Sequence, residues 1–193
     1  MIVRALSILP ILISFIQPVA AENHDDRAMK VAGRSTPPIG HFALCKELPR
    51  ECGPTEWKGP VVLTDEIMAK IVDVNRNVNR KIRLVSDQHL YGVEERWVFP
   101  DDAGDVEDFA LLKRRELAAK GIAVSNLLLT VALTTGGEGT AVVTVTTDKG
   151  DLILDQATDE VKLWSDVPYT FLKRQSHTGS DKWEKLLDVR TAR

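Results

Sequence analysis

The stretch Gly104-Asp105-Val106-Glu107-Asp108-Phe109-Ala110 decides how the rest of the chain is read. It opens a helix. Asp105 is a good N-cap residue, and Asp108 stands three positions on, as in a capping box. Carboxylates in a first turn also complement the positive end of the helix dipole. Phe109, Ala110, Leu111, Leu112 and Leu117 supply apolar bulk, and Gly121 follows a basic last turn as a natural stop. The spacing predicts a helix over 104–120. Val106, β-branched at the first helical position, reads on its own as a core or groove-lining residue.

Upstream, Thr64 can cap a second helix over 64–80, with Asp65 and Glu66 in its first turn. Ile67, Ile71, Val74 and Val78 fall on one face of it. Residues 81–103 read as a connection. Downstream the period changes. Residues 126–133 are β-rich and nearly all apolar. Gly136 to Gly139 marks a turn with no strand–loop–helix context for phosphate binding. Thr140 to Thr147 alternates Ala/Val with Thr, the pattern of a strand with one face buried. Asp148-Lys149-Gly150-Asp151 is a hairpin turn, Leu152-Ile153-Leu154-Asp155 the returning strand. Strands around Tyr169–Leu172 and an amphipathic piece near Trp183 and Leu186 complete the chain. Helices first and an antiparallel meander second make the fold α+β.

The chain has 193 residues and a net charge of −3, enough for one domain with a real core and no electrostatic case for nucleic acid. Lys113-Arg114-Arg115 and Lys173-Arg174 read as solvated faces. Arg4, an apolar run over residues 5–16 and Val19-Ala20-Ala21 make a secretory signal peptide over residues 1–21, cut before Glu22. An uncleaved anchor is the competing reading, which the short apolar run disfavours. No later stretch is apolar enough to cross a membrane, so the mature chain is expected in the periplasm or beyond. Residues 22–60, broken by Pro37, Pro38, Pro49, Pro54 and Pro60, read as an extended arm before a domain over 61–190. In an oxidising compartment Cys45 and Cys52 are expected to form a local disulfide that staples this arm, rather than reactive thiols or a zinc site.

Three anchors occur in order: the Gly-Asp-Val-Glu-Asp helix start, Gly137-Glu138-Gly139-Thr140-Ala141-Val142, and Leu-Ile-Leu-Asp ending at Asp155. This helix–strand–strand order resembles the transglutaminase-like, papain-like core of cysteine proteases. Val93-Glu94-Glu95-Arg96-Trp97, Glu107 to Arg114, Leu128-Leu129-Thr130-Val131 and Phe171 to Ser176 narrow the resemblance. They are similar to the bacterial transglutaminase-like cysteine proteinase family, the LapG-like periplasmic proteases, over about residues 40–187. The resemblance implies calcium-dependent cleavage of surface adhesins, restrained by a membrane-bound receptor.

The resemblance also implies a catalytic triad at positions 106, 140 and 155. There a Cys at a helix N-terminus has its thiol pKa lowered, a His pairs with the thiolate, and an Asp orients the His. In this chain those positions hold Val106, Thr140 and Asp155. A valine cannot attack a carbonyl, and each replacement needs more than one base change. The expectation is therefore a pseudoenzyme that binds an adhesin or a regulatory receptor instead of cutting. Two alternatives stand beside it: an active hydrolase with a relocated triad, recruiting His89 or His177 to Asp155, and a structural envelope protein whose groove has filled in. Thr140 also reads as a plain β-strand threonine. Asp105 and Glu107 match the family's calcium ligands, with Asp101, Asp102 and Asp108 close by, although capping alone explains acids there. The four tryptophans are expected in the core, with Trp97 lining the groove.

Overall fold

The structure, a computed structural model, describes residues 27–187. The signal peptide therefore lies outside the described residues. The chain begins with strand β1 (Lys30–Ser35) and helix α1 (Ile39–Glu47). Helix α2 (Asp65–Lys81), a two-residue β2 (Arg83–Leu84), α3 (Asp87–Tyr91), β3 (Ala103–Gly104) and α4 (Val106–Ala119) follow. The remainder is strand: β4 (Leu127–Leu133), β5 (Gly139–Thr147), β6 (Gly150–Leu154), β7 (Lys162–Leu163), β8 (Thr170–Ser176) and β9 (Gly179–Leu187). Seven strands form one sheet in the order β1-β9-β8-β4-β5-β6-β7, every neighbouring pair antiparallel.

The α+β expectation holds, with α4 packed on β4 and β5 and α2 packed on α4. Thr64 caps α2 as expected, its hydroxyl accepting from the Ile67 amide at 3.2 Å. Ile71, Val74 and Val78 are buried against α4 and the sheet, and Ile67 packs at the margin. Each fully buried aliphatic side chain of this kind contributes about 1.5–3 kcal/mol. The hairpin between β5 and β6 turns at Asp148-Lys149, with Thr147 opposite Gly150.

Two expectations are corrected. Residues 27–60, the described part of the expected arm, are not irregular, because β1 adds to the sheet beside β9 and α1 starts directly after Pro38. Nor does β5 have only one buried face: every residue after Gly139 is buried. Ala141, Val143 and Val145 meet α4 in the main core, while Val142 packs on the other side with Ala132, Ile153 and Phe171. The threonines tolerate burial because they pair. The Thr130 and Thr144 hydroxyls lie 2.7 Å apart, and Thr146 accepts from Asn126.

Candidate active-site groove and acidic cluster

The start of α4 faces a groove of about 180 Å³. Its walls include Trp97, Glu95, Val106, Glu107, Thr140 and Ala141. Two glycines make the close packing around it possible. A Cβ on Gly104 would stand 2.6 Å from Asp108 Oδ2, and one on Gly40 would stand 2.2 Å from Trp97. Trp97 is buried, and its Nε1 donates to Glu95 Oε1 at 2.7 Å, so its ring is held as one wall.

Two of the three predicted triad positions, Val106 and Thr140, thus border one groove. Strand alternation adds a detail the sequence reading lacked. Ala141 packs in the α4-side core, with Val106 at its margin, and Val142 in the core beyond the sheet, while Thr140 and Ala141 both line the groove. Asp155 does not reach the groove. Its Oδ2 accepts from the Tyr169 hydroxyl at 2.6 Å, its Oδ1 accepts from the Ala157 amide at 3.1 Å, and it borders a separate cavity. Asn79, from α2, holds the same turn by donating to the Asp155 carbonyl at 3.1 Å.

No histidine among the described residues lines the groove. His89 faces Ser86, and His177 bonds the Ser125 carbonyl at 2.7 Å and stacks on the half-exposed Trp57. His41 is buried between Trp97 and Trp183 and beside the Cys45–Cys52 disulfide, which forms as expected. Burial and the Arg114 charge push the pKa of His41 down to about 4, which keeps the ring neutral.

Carboxylates crowd the groove's helix end. Ligand atoms of Asp87, Asp105 and Glu107 lie within 4.8 Å of one another. Asp105 occupies the cap position of α4 without a side-chain cap bond, and its Oδ1 is buried with no partner. Asp108, the other member of the expected capping box, accepts from the Val98 amide through Oδ1 at 2.8 Å. Asp87 accepts from the Arg96 amide through Oδ2, and its Oδ1 is likewise unpartnered. Burial, reinforced by Asp87, raises the pKa of Asp105, and burial reinforced by Asp105 and Glu95 raises that of Glu107. Burial also pushes Asp108 up to about 7. Buried carboxylates with free oxygens and mutual repulsion have the donor chemistry of a hard-cation site.

Asp105 and Glu107 were legible from the sequence, but Asp87 was not. It lies eighteen positions before Asp105, and the parallel β2–β3 contact and the Arg96 turn deliver it. Asp102, expected nearby, instead pairs with Arg83 at 3.1 Å on the surface.

A helix N-terminus set against an antiparallel sheet, with the groove between them, is the transglutaminase-like arrangement of thiol hydrolases. A family model described as bacterial transglutaminase-like cysteine proteinase matches residues 31–191, and the chain belongs to that family. Its fold is similar to solved structures of LapG from Legionella pneumophila. One is 23% identical over 65% of this chain and 72% of that one, with a TM-score of 0.52. The calcium-bound form is 24% identical with a TM-score of 0.50, over 56% of this chain and 64% of that one. The chain thus spans a little under two thirds of that calcium-bound structure. No curated protein matches the chain.

Proposed function

We propose that this chain is an exported, non-catalytic member of its family that holds an extended protein segment in the groove at α4. The observation that carries the reading is Val106. An apolar side chain stands at the helix N-terminus where the family's chemistry needs a thiolate, and no described histidine borders the groove. The segment bound would belong to a surface adhesin, or to the receptor that restrains an active relative. A relocated triad finds no support, because Asp155 is engaged by Tyr169 and by no histidine among the described residues. A filled groove finds none either, since about 180 Å³ remains beside Trp97.

Calcium belongs to the same proposal. Asp87, Asp105 and Glu107 would hold it, and the ion would supply the positive charge their buried oxygens lack. LapG from Legionella pneumophila has been solved in a calcium-bound form.

The test is a cleavage assay on an adhesin fragment, with calcium. Wild type is compared with Val106→Cys/Thr140→His and with Val106→Cys/Ala141→His. Wild type is expected to bind without cutting, and cleavage, if restored, to appear in the Ala141→His background. Cutting by wild type would sink the proposal.

A further inference from the structure

Toward the C-terminal end of α4 from the groove lies a larger pocket of about 420 Å³. One wall is the loop closed by the Cys45–Cys52 disulfide, which carries Arg50 and Glu51. Ser125 and Ser180 line it, and Arg114 from α4 forms part of it. Lys113-Arg114-Arg115 was expected to be a solvated face, but Arg114 is only 6% exposed.

Its guanidinium is anchored from behind. Nε donates to the Leu127 carbonyl at 3.0 Å, and Nη2 donates to Ser180 Oγ at 2.6 Å. These use two of a guanidinium's five N–H groups. No carboxylate among the described residues lies within ion-pair distance of it. Glu51 acts on it only from a distance, because its carboxylate pairs with Arg115 at 3.1 Å. Glu56 at the rim pairs with Lys58 at 3.1 Å. A buried charge without a counterion is uncommon and costly. The contrast within the molecule is Arg174, equally buried, which pairs with Asp151 at 2.8 Å.

A second observation points the same way. The Ser125 hydroxyl is buried and has no hydrogen-bond partner. Ser180 Oγ accepts from Arg114 and so keeps its own O–H to donate. Arg50 adds a second cation at the mouth. We infer that this pocket is a binding site for a small oxyanion, a carboxylate or phosphate group, held on the Arg114 fork and the serine hydroxyls. The fork geometry of arginine suits both groups. The site stands on its own residues and is independent of the groove reading.

The test is titration of the mature protein at constant ionic strength with inorganic phosphate, with citrate and with chloride. It is followed by calorimetry and by NMR of the Ser125, Ser180 and Gly53 amides. Saturable binding of phosphate or citrate, but not chloride, is expected, with shifts confined to those amides. Phosphate alone would assign a phosphate-bearing ligand, and citrate alone a carboxylate. Arg50→Ala, on the mouth and away from the core, is expected to weaken binding about tenfold, as loss of one charge-assisted contact does. Arg114→Gln is expected to abolish it, and Ser180→Ala supplies a second reading should the Arg114 variant fail to fold. Binding equal to chloride, or undiminished in both Arg50→Ala and Ser180→Ala, overturns the inference.

Discussion

Glu107 shows how much a single residue carries here. It sits in the first turn of α4, where a carboxylate ordinarily stabilises through the dipole. Burial beside Asp105 and Glu95 reverses that balance in the absence of a cation and raises its pKa. Glu107→Gln removes one of the repelling charges. In chelator at pH 8 the variant is expected to be more stable than wild type by about 1–2 kcal/mol, a fraction of what so raised a carboxyl implies at about 1.4 kcal/mol per pKa unit. With saturating calcium the order should reverse, because a ligand is gone. Thermal melts in both conditions check this, and a variant less stable in chelator would remove the repulsion argument. Val106 is the opposite case. Its identity was legible at once, yet only the packing decides between the core and groove readings: it borders a groove lined by Thr140 and Ala141.

At the scale of elements, the N-terminal segment is the instructive one. Its prolines argued for irregular chain, but a proline ahead of the first helical turn does not break a helix, and Pro38 sits at that place on α1. β1 carries no alternating pattern that would reveal it, since it is an edge strand with four exposed residues in six. Its partner β9 supplies the order. The disulfide ties α1 to the loop that walls the oxyanion pocket. Closing a loop with a sequence separation of 7 stabilises by about 2–3 kcal/mol in the chain-entropy account. Cys45→Ser/Cys52→Ser is expected to lose about that much in urea denaturation. A change near zero would mean that Trp97 and Trp183 around His41 hold the segment without the bond.

The whole molecule should show these charges as a pH profile. Asp105, Glu107 and Asp108 have raised pKa values in the folded state, so the native protein binds more protons than the unfolded chain and stability falls as pH rises through that range. His41 and His177 are depressed, which removes stability as pH drops below the ordinary histidine value. Above neutrality Lys113, buried on α4 and lowered to about 7, gains stability with pH and opposes Glu107. Metal-free protein is therefore expected to lose stability between about pH 5 and 7 and to change little above that. Calcium should flatten the fall and release protons on binding. Melting temperatures across pH, with chelator and with calcium, give the answer. An identical profile in both would exclude a calcium site at the acidic cluster.

The two long helices, the Thr64 cap, the hairpin and the cysteine pair were determined by local sequence, because caps, turns and periodicity act over a few residues. The family was legible for the same reason, in short motifs kept in order. Tertiary structure alone decided which face of β5 meets α4, that Asp87 joins Asp105 and Glu107, that Asp155 turns to Tyr169, and that Arg114 is buried rather than solvated. These are contacts between residues far apart in the chain, set by how the sheet and helices stack, and no local pattern encodes a distance across the core.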